Sequence, residues 1–167
     1  MADPDRHERA IFAAGCFWDV EAAFRRLEGV VDTVTGYTGG SVPDPTYGQV
    51  GEGTTGHVEA VRIVYDPAVI SYGQLLDMFW TIHDPTRPDG QGEYTGPQYR
   101  SVIFYFDEDQ KEAALASRDQ LAASGKYGDR PLVTEIVPAS TFWPADECHQ
   151  HFYEKCALGY CTSRQIF

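Results

Sequence analysis

Cys16 is the residue of this chain best placed for nucleophilic chemistry. It follows Gly15 and precedes the aromatic pair Phe17 and Trp18. The apolar run over residues 10–14 predicts a buried strand, and apolar residues recur after Cys16 at helical spacing. Cys16 is therefore expected at a helix N-terminus, where backbone N–H groups and the helix dipole lower a thiol pKa. An inert buried thiol is the alternative, because Cys outside disulfides is among the most buried residue types.

Glu59 is the second candidate, as a proton donor. It lies in a strand-like run over residues 57–65, whose alternation puts it on one face with Val61 and Ile63. A carboxyl group on a buried face has a raised pKa and can act as a general acid near neutral pH. The pattern alone nevertheless favours a Glu exposed at the end of an edge strand.

Tyr47 and Tyr99 are expected at boundaries between loops and strands, where a phenol can donate a hydrogen bond into a cleft. Ordinary β propensity is the simpler explanation for both, because the chain has ten tyrosines. The glycine spacing over residues 51–56 matches a dinucleotide fingerprint, but a strand follows it. Without a helix N-terminus to hold a pyrophosphate, a nicotinamide site is rejected.

The C-terminal region carries a cluster of Cys and His residues: Cys148, His149, His151, Cys156 and Cys161. A zinc site is one interpretation, yet the compact Cys-x-x-Cys pairs of structural zinc sites are missing, and no metal is predicted. The competing interpretation is redox chemistry. Cys161 lies in a short tail without a helical pattern, so it can reach an oxidised Cys16.

Composition limits the class of protein. With 167 residues and 43% apolar content, one domain over residues 1–167 is expected. The net charge of −12 argues against a nucleic acid or an anionic membrane as partner. Residues 1–8 are polar and acidic, without the apolar core of a signal peptide, so a cytoplasmic protein is expected.

The order of the elements predicts the fold. Strands are expected over 10–14, 30–37, 57–65 and 99–106, and helices after Cys16, after Ser71 and after Asp107. The order βαββαβ is typical of an α/β (α+β) ferredoxin-like two-layer sandwich with a split βαβ core and a mixed, mainly antiparallel sheet.

The two long loops and the C-terminal part of the chain complete the predicted structure. The loops 38–56 and 84–98 are long enough to suggest a functional role. A strand is predicted over 132–137, and a short helix from Pro144 to about Lys155. Residues 156–167 are expected to form a loop-rich, mobile tail that carries the resolving cysteine.

With these residues assembled, the chain resembles the class A peptide methionine sulfoxide reductases over nearly its whole length. Several short motifs occur in the same order, which is more specific than any one of them: Gly15-Cys16-Phe17-Trp18, residues 34–40, Pro45-Thr46-Tyr47, Thr55-Gly56-His57-Val58-Glu59, His83-Asp84-Pro85-Thr86, Gln98-Tyr99-Arg100-Ser101 and Gly159-Tyr160-Cys161. Reductases of methionine sulfoxide form two classes, one for each epimer of the sulfoxide.

The resemblance implies an activity and a mechanism. Such an enzyme reduces methionine S-sulfoxide, free or in proteins: Cys16 attacks the sulfoxide sulfur, Glu59 protonates the oxygen, and Cys16 becomes a sulfenic acid. A resolving thiol then forms a disulfide with Cys16, with Cys161 ranked first, Cys156 second and Cys148 third. Thioredoxin, or dithiothreitol in the test tube, reduces that disulfide, and no cofactor or metal is required.

The resemblance also implies roles in binding. Phe17 and Trp18 are expected to hold the substrate methyl group, and Tyr47 and Tyr99 to donate hydrogen bonds to the sulfoxide oxygen. Methionine sulfoxide and thioredoxin are the expected partners of a monomeric protein.

The chain departs from the family pattern in four places. Asp19 stands where glycine is usual. Its charge suits the dipole at a helix N-terminus but also lies near the thiolate, so its net effect on the Cys16 pKa is left open. Tyr94 replaces a family Asp, so Glu93 beside it is the candidate to supply that carboxylate with a shift of one residue. Phe152 replaces a pocket tyrosine, and Cys148 and Cys156 stand where other residues are common.

Two functions of other classes stay open on the residues alone. A zinc-binding or redox-sensing module would use the C-terminal Cys and His residues without turning over a substrate. A cysteine hydrolase would pair Cys16 with a histidine such as His57 or His149.

Overall fold

The computed structural model describes residues 6–157. In chain order its elements are β1 (Glu8–Ala14), α1 (Phe17–Arg25), β2 (Val30–Thr38), α2 (Tyr47–Gly51), β3 (Val58–Tyr65), α3 (Tyr72–Thr81), β4 (Gly90–Gln91), β5 (Tyr94–Thr95), β6 (Ser101–Tyr105), α4 (Glu108–Ala123), β7 (Glu135–Pro138), β8 (Trp143–Pro144) and α5 (Phe152–Ala157). Short 3₁₀ turns lie at Pro97–Tyr99 and Glu147–His149. No helix in this described part has the length and apolar character that crossing a membrane requires.

The central sheet confirms the ferredoxin-like fold with its split βαβ core. Its strand order is β7-β6-β1-β3-β2-β8, and β4 with β5 forms a separate hairpin. Strand β3 lies between β1 and β2 and is antiparallel to both, so α1 crosses over one intervening strand. The sheet is mainly antiparallel, with β6 and β7 as its parallel pair.

The alternation of β1 divides the core between the two faces of the sheet. Phe12 is fully buried on the helix side, where its ring stacks on Phe24 of α1 at 5.3 Å and on Phe79 of α3 at 5.2 Å. Ile11 and Ala13 point to the opposite face, where residues 137–142 supply the apolar cover. Strand β1 is thus buried on both faces, which accounts for its continuous apolar run.

The helices predicted after Ser71 and after Asp107 are confirmed, and each of these two residues caps its helix. The Ser71 hydroxyl accepts a hydrogen bond from the backbone N–H of Gln74, and the Gln74 side chain accepts one from the Ser71 N–H, which makes a capping box at the start of α3. The Asp107 carboxylate accepts from the Gln110 N–H at the start of α4.

Both long loops contain structure that the sequence analysis left out. Residues 38–56 include α2, which begins with its own capping box between Thr46 and Gln49. Residues 84–98 include the β4–β5 hairpin and a 3₁₀ turn. The Thr-x-x-Gln pattern at 46–49 was a readable helix start, but five residues are too few for apolar periodicity to show.

The prediction of a helix starting at Pro144 is wrong. Pro144 pairs with Gly36 in the sheet as part of β8, and His151 has a φ of 53°, which interrupts any helix between Cys148 and Cys156. Hydrogen bonds to Thr35 favour this path: the Gln150 side chain bonds both the N–H and the C=O of Thr35, each at 2.8 Å. The helix therefore starts only at Phe152.

The loop that carries α2 is closed at its base by His57. The Gly40 N–H donates to Nδ1 of His57 at 3.0 Å, and Nε2 of His57 lies 2.7 Å from the Val42 carbonyl oxygen. The Ser41 N–H also donates to the Thr55 carbonyl oxygen at 3.1 Å. This closure holds the two ends of the loop together directly before β3.

Replacing Gly40 with Ala should destabilise the protein, because a Cβ there would lie 2.3 Å from the His57 backbone nitrogen and 2.5 Å from the Thr55 oxygen. The free energy of unfolding is expected to fall by about 2 kcal/mol, the usual cost of overpacking. Gly51→Ala is the matched control, since a Cβ at Gly51 meets nothing within 4 Å. Urea unfolding of both variants is the measurement, and equal midpoints would contradict the role assigned to Gly40.

Candidate active site

Cys16 is the N-cap of α1 and lies directly after the end of β1. Its backbone is extended, with φ −63° and ψ 124°, whereas Gly15 before it has a φ of 98°. Gln91 of the β4–β5 hairpin packs against Gly15 so closely that a Cβ there would lie 2.9 Å from the Gln91 Cβ. The hairpin thus rests on the turn that carries the thiol, and Cys16 is 4% exposed.

The Cys16 thiol opens into a cleft of about 570 Å³, here called the thiol cleft. Its polar lining comes from α1, from the segment after α3 and from the hairpin: Asp19, His83, Asp84, Gln91, Glu93 and Tyr94. Burial, and then the charge of Glu59, raise the pKa of Cys16 to about 12. The backbone N–H groups of Trp18 and Asp19 lower this pKa, but their effect is smaller than that of burial. The lowering expected from the helix N-terminus is therefore present, but burial outweighs it.

Glu59 lies in the interior of the sheet. It is 2% exposed on β3, opposite Tyr37 of β2, so the prediction of an exposed Glu on an edge strand is wrong. Its Oε1 accepts a hydrogen bond of 3.2 Å from the backbone N–H of Phe17, the residue after Cys16. Burial raises the pKa of Glu59 to about 8, although the Phe17 N–H opposes the shift. The carboxyl group is therefore largely protonated at neutral pH.

Tyr47 and Tyr99 flank Glu59 in a second cleft of about 620 Å³, here called the carboxyl cleft, which Gln98 and Asp146 also line. Tyr99 ends the 3₁₀ turn before β6, at a loop-strand boundary as predicted. Tyr47 is instead the first residue of α2. Burial raises the pKa of both phenols, so both keep the proton that a hydrogen-bond donor needs.

Phe17 and Trp18 belong to an aromatic cluster beside the two clefts. Phe17 is fully buried and packs against Tyr47 at 6.3 Å. Trp18 is 7% exposed, stacks on Phe152 at 3.9 Å, and donates from Nε1 to Nδ1 of His149 at 3.1 Å. The His149 ring stacks on Tyr47 at 4.4 Å. The cluster joins α1, α2 and the C-terminal segment around the thiol.

Glu93 and Tyr94 lie on the hairpin that borders the thiol cleft. Glu93 is exposed at the turn, whereas Tyr94 is half-buried on β5 and lines the thiol cleft together with Cys16. The Tyr94 ring also packs against Tyr99 at 5.4 Å. The residue that takes the position of the family Asp thus lines the cleft into which the thiol opens.

The described C-terminal cysteines are both near the core. Cys148 lies in a 3₁₀ turn and Cys156 on α5, and both are half-buried against the main apolar cluster. Cys161 lies outside the described residues. The histidines between them have other partners, since His149 accepts from Trp18 and His151 Nε2 lies 3.0 Å from the Arg25 guanidinium. Within residues 6–157, no group of three or more His, Cys, Asp or Glu is placed to hold a metal ion.

Both histidines considered for a hydrolase are engaged elsewhere. His57 is 3% exposed and uses both ring nitrogens to close the α2 loop. His149 accepts from Trp18 at Nδ1, and burial lowers its pKa. Neither ring is hydrogen-bonded to the Cys16 thiol.

Two residues of the site were not assigned by sequence reasoning. His149 was considered only as a zinc ligand or a hydrolase base, and its packing on the aromatic cluster joins residues 131 positions apart, which no local pattern shows. Tyr94 was noted only as a departure from the family pattern. Its position on a two-residue strand facing the thiol has no periodicity that a sequence could show.

Comparison with known proteins decides the family. The family model described as peptide methionine sulfoxide reductase matches residues 8–166. The chain belongs to this family. The reaction of the family, reduction of methionine sulfoxide, is the activity of this member.

Similar reductases cover nearly the whole chain. Peptide methionine sulfoxide reductase MsrA of Methanococcoides burtonii is 57% identical over 148 residues, which are 89% of this chain and 96% of that protein. Among solved structures, Mxr1 of Saccharomyces cerevisiae in its reduced form has a TM-score of 0.85 at 31% identity, covering 98% of this chain and 93% of that one. Methionine sulfoxide reductase A of Corynebacterium diphtheriae has a TM-score of 0.81 at 35% identity, covering 95% and 79%.

Replacing Glu59 with Gln should stabilise the reductase at high pH. Between the ordinary carboxyl pKa of 4.5 and about 8, the folded protein holds a proton that the unfolded chain has lost, so its stability falls as pH rises. The amide keeps the shape and the acceptor for Phe17 but does not ionise. At pH 8 the free energy of unfolding should exceed that of the unmodified protein by about 4 kcal/mol, and below pH 4.5 the gain should vanish.

Urea unfolding of both proteins from pH 4 to pH 9 measures this difference. The two proteins have all other titrating groups in common. Any change with pH in the difference between their free energies of unfolding therefore comes from Glu59. A difference that stays constant with pH would contradict the raised pKa.

Proposed function

We propose that Cys16 is the nucleophile that reduces methionine S-sulfoxide, free or in proteins, with Glu59 as the proton donor. The observation that carries this assignment is the hydrogen bond from the Phe17 N–H to Glu59. It fixes a buried carboxyl group, protonated at neutral pH, beside the residue that follows the thiol. A sulfoxide oxygen is a poor leaving group, so a proton source at that position has a direct chemical use.

Glu59 and the Cys16 thiol supply all the protons that the oxygen transfer needs. Glu59 donates its proton to the sulfoxide oxygen, the Cys16 sulfur bonds to the sulfoxide sulfur, and the thiol proton passes to the Glu59 carboxylate. The sulfur–oxygen bond breaks, and the hydroxide released attacks the Cys16 sulfur as methionine leaves. The sulfoxide is reduced by two electrons and Cys16 is oxidised to a sulfenic acid.

The carboxyl cleft supplies the groups that hold the substrate oxygen. Tyr47 and Tyr99 are protonated phenols beside Glu59, so both can donate hydrogen bonds to the sulfoxide oxygen. Phe17 and Trp18 provide the apolar surface for the substrate methyl group. Glu93 is proposed only as an outer contact, because it is exposed at the hairpin turn.

The second half of the reaction regenerates the thiol. Cys161, or failing it Cys156 and then Cys148, condenses with the sulfenic acid to form a disulfide and release water. A thioredoxin dithiol then reduces that disulfide. A structure of Mxr1 of Saccharomyces cerevisiae has been solved in complex with Trx2, which supports thioredoxin as the reductant of a reductase with this fold.

The organisation around this chemistry is proposed on the same basis. Residues 1–167 would act as one domain whose residues 156–167 bring the resolving thiol to Cys16. No cofactor enters these steps. The monomeric state and the cytoplasmic location stay predictions of the sequence.

Reduction of racemic methionine sulfoxide tests the proposal. With dithiothreitol, and separately with thioredoxin, the protein should consume only the S epimer and stop near half conversion. Cys16→Ser should abolish consumption, and Cys148→Ser is the matched control that should retain it. Loss of the R epimer, or activity in the Cys16→Ser variant, would contradict the assignment.

The resolving cysteine can be read from the disulfide that one turnover leaves. After incubation with methionine sulfoxide and no reductant, peptide mapping should find Cys16 joined to Cys161. In the Cys161→Ser variant, Cys16 should remain as a sulfenic acid or pair with Cys156. A link from Cys16 to Cys148 in the unmodified chain would reverse the ranking.

A further inference from the structure

The thiol cleft is lined by Cys16 and by one phenol, that of Tyr94. Tyr94 lies on β5, opposite Gln91 of β4, and its side chain lines the same cleft as Cys16. Tyr47 and Tyr99 line the carboxyl cleft on the other side, with Glu59. The phenol that shares a cleft with the thiol is thus a different one from the two phenols assigned to the sulfoxide oxygen.

The surroundings of Cys16 make a thiolate costly. The groups that face it from neighbouring elements are mainly acids and phenols: Asp19 on α1, Tyr47 on α2, Glu59 on β3, His83 and Asp84 after α3, Glu93 and Tyr94 on the hairpin, Tyr99 before β6 and Tyr153 on α5. Among the described residues that line the two clefts, none is Lys or Arg. Negative charge on the sulfur must therefore be stabilised by neutral hydrogen-bond donors.

Few neutral hydrogen-bond donors lie near the Cys16 sulfur. The backbone N–H groups of Trp18 and Asp19 at the start of α1 are two of them. Asp19 accepts a hydrogen bond from the Tyr153 hydroxyl, so that phenol already has a carboxylate acceptor. Burial and the proximity of Cys16 raise the pKa of Tyr94 to about 12, so Tyr94 keeps the proton it would donate.

The hairpin holds Tyr94 in place without help from substrate. Gln91 accepts from the Asp84 N–H at 2.8 Å and donates to the Asp84 carbonyl oxygen at 2.7 Å, which ties β4 to the end of α3. The Gly96 N–H donates to the Asp89 carbonyl oxygen at 2.8 Å and closes the hairpin. The Tyr94 ring is further held by its contact with Tyr99.

We propose that Tyr94 is a catalytic residue of this reductase: its hydroxyl donates a hydrogen bond to the Cys16 sulfur and stabilises the negative charge that develops there during attack. The proposal deepens the function proposed for Cys16 and rests on it. In this account the β4–β5 hairpin provides the hydrogen-bond donor for the Cys16 sulfur. The carboxyl cleft provides the donors for the sulfoxide oxygen.

The test is the reactivity of Cys16 in Tyr94→Phe, which removes the hydroxyl and keeps the ring. The rate of Cys16 alkylation by iodoacetamide is followed by peptide mass mapping of the full chain from pH 7 to pH 10. Loss of one hydrogen bond to a charged sulfur should raise the thiol pKa and lower the rate roughly tenfold at each pH. Tyr105→Phe is the matched control, because Tyr105 lies on β6 under Lys111.

A second variant separates the hydroxyl from the ring. Tyr94→Leu should slow alkylation about as much as Tyr94→Phe, with both variants keeping the unfolding midpoint of the parent. An unchanged rate in Tyr94→Phe, or slowing in the Leu variant alone, would overturn the proposal. Alkylation needs no turnover, so it reports the contact with Tyr94 even if Cys16→Ser were active and the proposed function failed.

Discussion

The shared burial of Cys16 and Glu59 at the start of α1 is the constraint on which the rest of the site depends. Moving a carboxyl group out of water raises its pKa, here to about 8, and the single hydrogen bond from Phe17 does not reverse the shift. The same burial raises the pKa of Cys16. At neutral pH both groups therefore rest in their neutral, protonated forms, and charge develops on them as they react with a substrate.

The architecture holds this pair from four directions. The split βαβ core brings β3, with Glu59, next to β1, which ends at the thiol. The α2 loop adds Tyr47, the β4–β5 hairpin rests on Gly15, and the C-terminal segment packs Phe152 on Trp18. The sheet sets the distance between nucleophile and acid, while the three outer segments supply the donors and the apolar walls.

The sequence predicts the framework better than the cleft. Capping residues and periodicity locate α1, α3, α4 and the main strands, because each signal lies within a few residues of its effect. The burial of Glu59 depends on β3 being an interior strand, which alternation along β3 alone cannot show. The β8 pairing of Pro144 depends on hydrogen bonds to Thr35 from more than 100 residues away, and Tyr94 reaches the cleft of Cys16 only through the hairpin. These contacts join distant parts of the chain, so no local pattern encodes them.

Trapping the oxidised nucleophile in a single turnover tests the central claim most directly. In a chain with Cys148, Cys156 and Cys161 replaced by Ser, a dimedone adduct on Cys16 should form in amounts equal to the methionine released. Adding Glu59→Gln should leave the site of the adduct unchanged and slow its formation about 100-fold or more, as expected for loss of a general acid. An adduct that forms at the same rate without the carboxyl group, or methionine released without any adduct on Cys16, would contradict the account.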